Sequence, residues 1–255
     1  MNAMRRLAAI LLLAPALALS PPGATTARAE HACPAPPDMA EAAPLPGTFA
    51  AIARGDLRIM VVGSASTAGG GTSGPDASWP RRLQALLASR LAPARVQLEV
   101  FGGRGTTAAE HARIIAMEAA RFRPHLIIWQ LGTVEAARGL PPEEMSASVQ
   151  EAAARLRATR GELTDVILMD MQFSRFFRAN ANVEPYRDQL RIAAAAAGSQ
   201  LFSRWQIMNH WAETEALDLE RAPRDRRVKV ADALHDCLAR VLAGFILQGV
   251  GDARR

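Results

Sequence analysis

Cysteine, lysine and metal-ligand pairs are what this 255-residue chain has least of, and each scarcity excludes something. Only Cys33 and Cys237 carry thiols, and no Cys or His pair stands at ligand spacing, so no metal site is expected. No cofactor motif is read either. Lys229 is the only lysine; the other basic residues are arginines spread among acidic ones. That pattern reads as solvated surface and argues against a nucleic-acid footprint. No internal repeat is visible. No apolar run reaches the roughly 20 residues that a bilayer span needs, and the longest, LAAILLLAPALAL, is interrupted by Pro15.

That short run is informative in another way. Arg5 and Arg6 precede it, and Ala27 and Ala29 follow in a small-x-small arrangement. Charged, apolar and small-residue segments in this order predict a secretory signal peptide over residues 1–29, with export to the periplasm or medium and no membrane span after cleavage. Removing Arg5, Arg6 and Arg28 lowers the formal charge from +5 by three, to +2. Two lone cysteines in an exported chain suggest one disulfide, Cys33 to Cys237. The alternative is a buried Cys237 acting as a small apolar residue, with Cys33 unpaired.

At 49% apolar content the mature chain can bury one full core. Residues 30–54 are rich in Pro and Ala and read as an arm over the surface, and residues 55–255 as the domain. Within it, LRIMVV (57–62), VQLEVF (96–101), HLIIWQL (125–131), DVILMDM (165–171) and QLFSRW (200–205) have strand character. Segments of helical spacing lie between them, including WPRRLQALLASRL, TAAEHARIIAMEAARF and a third that stops at Gly161. A last helix is expected from about Asp232. Near-continuous apolar strands alternating with helices predict an α/β three-layer sandwich with a central, mostly parallel five-stranded sheet. Ligands in such folds sit at the carboxyl ends of the strands.

Four stretches stand at those ends. They are Gly63-Ser64-Ala65-Ser66-Thr67-Ala68-Gly69, Phe101-Gly102-Gly103-Arg104-Gly105, Gly132-Thr133-Val134 and, before the last helix, Asp232-Ala233-Leu234-His235. Each has a plain reading as a tight turn or a helix start. Together they have the layout of a Ser-His-Asp hydrolase whose oxyanion hole is built from a glycine N–H and a side chain.

These blocks resemble the SGNH hydrolases, a branch of the GDSL esterases and lipases. The family's first block has the form Gly-Asp-Ser-x-Thr-x-Gly, and GSASTAG is similar to it without a gap. SWPRRL, IIWQLGT, VILMDMQF and ADALHDCLARVLA extend the resemblance over nearly the whole mature chain. It implies the sandwich fold, acyl esters or envelope carbohydrate as ligands, Asp232 and His235 as acid and base, and Gly102 as an oxyanion donor. It also places the nucleophile on Ala65 and the oxyanion asparagine on Val134, neither of which can act. Losing a triad nucleophile costs on the order of 10⁶ in turnover; losing one oxyanion donor costs about 10²–10³. The expectation is an esterase-type protein with that activity lost or strongly reduced. The alternative is an active esterase using Ser64 or Ser66 as a displaced nucleophile. Trp79, Trp129, Trp205 and Trp211 read as packing rather than as a sugar platform.

Overall fold

The computed structural model describes Cys33, Ala35, residues 41–159 and residues 164–255. The expected leader and Gly161 lie outside the described residues. The five apolar runs form five strands: β1 (Asp56–Gly63), β2 (Arg95–Gly102), β3 (Leu126–Gln130), β4 (Asp165–Met169) and β5 (Gln200–Phe202). They pair in the order β2-β1-β3-β4-β5, every pairing parallel. Most of β1, all of β3 and the end of β4 are buried, which is why their sequences lack the alternation of a half-exposed strand. β5 is shorter than its apolar run because Arg204 already opens the next helix.

The helices among the described residues are α1 (Pro46–Ala53), α2 (Trp79–Arg90), α3 (Ala108–Phe122), α4 (Thr133–Arg138), α5 (Pro142–Thr159), α6 (Arg175–Asn180), α7 (Glu184–Ala197), α8 (Arg204–Glu213) and α9 (Arg227–Ala253). Right-handed crossovers assign them to layers. The step from β1 to β2 goes one way and every later step the other, so α2 packs with α9 while α3, α5 and α7 pack together on the opposite face. This is the expected three-layer sandwich. The direction reverses at β1, which sets the crevice over its carboxyl end.

Two local features shape that crevice. Thr107 and Glu110 form a capping box at the start of α3, with the Glu110 carboxylate accepting the Thr107 N–H at 2.7 Å. The last helix starts at Arg227, earlier than expected, so Asp232 and His235 lie inside α9. Three residues apart, they share one face of it.

The amino-terminal side is fastened to the sheet and to α9. Asp165, at the start of β4, accepts the N–H groups of Gly47 (3.3 Å) and Thr48 (2.7 Å) and the Thr48 hydroxyl (2.7 Å). A carboxylate there suits the positive end of α1. Leu45 is buried and donates its N–H to the Gly249 carbonyl at 2.9 Å. Nearer the start of α9, Cys237 forms a disulfide with Cys33 at a Cα–Cα distance of 5.2 Å. No helix among the described residues is long and apolar enough to cross a membrane.

Candidate active site

The ends of β1 and β2 meet at a paired glycine step. Gly63 lies beside Gly102, whose φ is +92° and where a Cβ would stand 2.2 Å from the Gly63 carbonyl oxygen. Only glycine fits there. Past Gly63 the chain folds on itself: Thr67 N–H donates to the Ser64 carbonyl (3.0 Å) and Gly70 N–H to that of Ala65 (2.9 Å).

Gln130, at the end of β3, organises the hydroxyls of this turn. Its Oε1 accepts from Thr67 Oγ1 at 2.5 Å and from Ser66 Oγ at 3.1 Å, and its Nε2 reaches Ser64 Oγ at a long 3.5 Å. Arg204 Nη1 donates to Ser66 Oγ at 2.9 Å, and its Nη2 donates to Gln172 Oε1 at 3.1 Å. The Ser66 hydroxyl is therefore engaged both as donor and as acceptor. Neither Ser64 nor Ser66 hydrogen-bonds to His235.

His235 and Asp232 are instead joined to the far end of the same loop. Trp79 N–H donates to His235 Nδ1 at 3.0 Å, and Ser73 N–H donates to Asp232 Oδ1 at 2.9 Å. No hydrogen bond links Asp232 to His235. A backbone N–H can only donate, so Nδ1 must carry a lone pair, and the neutral ring holds its proton on Nε2. Burial pushes the His235 pKa down to about 3, the Arg204 and Arg82 guanidiniums push the same way, and Asp232 opposes them. The ring is neutral at pH 7. In a working triad the carboxylate accepts from Nδ1–H and leaves the Nε2 lone pair for the serine. Here the polarity is reversed.

A second buried histidine orders the glycine loop after β2. Trp129 Nε1–H donates to His111 Nδ1 at 3.2 Å, so the neutral ring presents Nε2–H to Thr106 Oγ1 at 2.8 Å, and Thr106 Oγ1 donates to the Gly103 carbonyl at 2.7 Å. All three bonds run in one direction, from the sheet to the loop that carries Gly102. Burial lowers the His111 pKa to about 4.

Both histidines make stability depend on pH. Above their ordinary pKa of 6.5 they are neutral in both states and their full contribution is present. As pH falls from 6.5 towards 4, the unfolded chain takes up protons that the fold refuses, costing up to about 1.4 kcal/mol per unit for each ring. Asp170, raised by burial to about 6, works against this between 6 and 3.8, where the fold holds the extra proton. We expect the urea midpoint to fall between pH 7 and 5, and to fall less in His235→Gln. A midpoint that is flat or rises on acidification, in both proteins alike, would refute neutral burial of these rings.

Val134 is half-buried at the start of α4. Its neighbour Glu135 is committed elsewhere, accepting the N–H groups of Ala108 (2.5 Å) and Gly132 (3.1 Å). Sequence reasoning missed Gln130, Arg204 and His111. A polar residue closing the apolar run LIIWQ was the available sign for Gln130; nothing local marked the other two. All four tryptophans are buried. No cluster of His, Cys, Asp or Glu suited to a metal ion occurs among the described residues.

Comparison with known proteins agrees with this architecture. No curated protein matches the chain. Among solved structures it is similar to LAE5, an alpha/beta hydrolase enzyme from the metagenome of Lake Arreo, Spain, with TM-score 0.57, 19% identity, 77% of this chain and 96% of that one. It is similar to Axe2, an acetylxylan esterase from Geobacillus stearothermophilus, with TM-score 0.57, 14% identity, 74% of this chain and 94% of that one. It is also similar to TesA, with TM-score 0.53, 18% identity, 72% of this chain and 99% of that one. At such identities the likeness is one of fold. The model of the Non-GDSL lipase-like family matches residues 32–252, so the chain belongs to that family and carries the SGNH-hydrolase type of sandwich.

Proposed function

We propose that this protein is exported, keeps the ester-facing cleft of an SGNH hydrolase, and has lost most or all of that family's esterase turnover. In this reading it binds an acylated envelope carbohydrate. The disulfide supports the exported setting, and the fold shared with an acetylxylan esterase supports the ligand class.

The Trp79 N–H on His235 Nδ1 carries the reading of lost turnover. General-base catalysis needs a lone pair on the nitrogen that faces the nucleophile. A neutral His235 with Nδ1 occupied as an acceptor offers a proton there instead. The His235 bond gives that residue a structural role: it satisfies the buried backbone donor of Trp79, and an orphaned buried N–H costs about 1–3 kcal/mol.

A second reading keeps Ser66 as a displaced nucleophile. It is favoured by Arg204, whose cation beside Ser66 Oγ would stabilise an alkoxide. Hydrolysis of p-nitrophenyl acetate decides between them. The wild type is expected to match its own His235→Ala background, and Ser64→Ala and Ser66→Ala to change nothing. Brisk wild-type turnover that disappears in either serine variant would make the protein an esterase with a displaced nucleophile.

A further inference from the structure

The arginines at the carboxyl edge of the sheet fall into two groups. On the β4–β5 side they are paired: Arg175 with Asp218 (2.8 Å), Arg178 with Glu213 (3.4 Å), and Arg221 with Glu215 (3.3 Å) and Asp218 (3.8 Å). On the β2–β3 side they are not. Arg104, in the loop after β2, and Arg138, in the last turn of α4, are exposed and have no carboxylate partner among the described residues. Glu110 acts on Arg138 and Arg113 only at a distance and is itself bound to the N–H and hydroxyl of Thr107.

These two loops flank β1 and converge above it. A Cβ on Gly105 would stand 3.1 Å from Arg138 Nη2, so the Arg138 guanidinium lies against the loop that carries Arg104 and Gly102. Two donors also stand behind this edge. His235 Nδ1 is taken by Trp79, leaving Nε2–H without a partner among the described residues. Arg204 places a buried guanidinium against Ser66, with its Nε unpaired. Exposed guanidinium groups without carboxylate partners attract a planar anion, which arginine holds through charge-assisted, often bidentate bonds.

We propose that the cleft over Ala65 takes an anionic saccharide, its acidic group held at the rim by Arg104 and Arg138. This deepens the reading of an envelope-carbohydrate cleft and rests on it. The two rim arginines are open to solvent, which suits a chain lying across the crevice rather than a small ion enclosed by it. Uronate carboxylates and sugar phosphates share the required chemistry.

Calorimetric titration of the disulfide-intact, exported protein tests this with trigalacturonate as the acidic probe and xylotriose as the neutral one. Trigalacturonate is expected to bind at least about tenfold more tightly, and Arg104→Gln and Arg138→Gln each to weaken it by on the order of tenfold, the usual effect of removing one charge-assisted hydrogen bond. Arg191→Gln, on α7, is expected to leave it unchanged. Displacement by millimolar inorganic phosphate would assign the rim to phosphate-bearing sugars, and resistance to it would assign it to uronates; both keep the site. Equal binding of the two trisaccharides, or an equal loss in Arg191→Gln, would overturn the proposal. Brisk esterase activity would end the reading of lost turnover and leave this binding result standing, so the two failures are distinguishable.

Discussion

The Ala65→Ser, Val134→Asn variant is expected to hydrolyse p-nitrophenyl acetate faster than the wild type and faster than either single change, and His235→Ala made on top is expected to abolish the gain. Ala65 stands where the resemblance puts the nucleophile, and its methyl group cannot attack a carbonyl. Restoring a hydroxyl addresses the largest loss, on the order of 10⁶, and an asparagine at position 134 addresses a further 10² to 10³, roughly. Members of a catalytic unit act together, so the effects should not simply multiply. The Trp79 N–H limits the gain, because a His235 that keeps its proton on Nε2 is in the wrong tautomer, a fault worth about 10⁴ in a serine triad. The double variant should therefore stop well short of an ordinary esterase. Full esterase rates would show that the ring turns freely and that the tautomer is no obstacle. No gain at all in the double variant, with the fold intact, would remove Ala65 from the nucleophile position.

Removing the Cys33–Cys237 disulfide is expected to cost about 2–5 kcal/mol. The bond spans 204 residues and ties Cys33 to α9 two positions beyond His235. Chain-entropy reasoning for so long a closure approaches about 5 kcal/mol, although strain and residual structure usually reduce the measured value. For a domain of this size the loss corresponds to a fall in Tm of roughly 5–15 °C. Cys33→Ser with Cys237→Ala is the suitable pair, because Cys237 is fully buried and a serine there would bury a hydroxyl. Protein recovered from the periplasm should begin near Glu30 and yield the two cysteine peptides joined under non-reducing conditions. An intact Met1 would contradict export, free thiols would contradict the bond, and a Tm change below about 2 °C would contradict its weight.

How much of this was legible in the residues depends on the range of the forces involved. The strand ending at Gly63 could be read because burial on both faces demands a continuous apolar run, and the edge strand ending at Gly102 because Gln97 and Glu99 alternate with apolar residues, both properties of the segment itself. The disulfide could be read because only one pairing of two cysteines exists. The register of the resemblance was also legible, since the motif alone sets Ala65 and Val134 against the family's serine and asparagine. The state of what remains was not. Whether His235 is a base or a donor depends on which backbone N–H faces Nδ1, and that group belongs to Trp79, 156 residues away. Ser66 is occupied by Gln130 and Arg204, 64 and 138 residues distant. Apolar periodicity is a local property, so the sequence alone determined the elements and the register of the motif. The direction of a hydrogen bond between distant residues is set by packing, so only the tertiary structure decided what His235, Asp232 and Ser66 are bonded to.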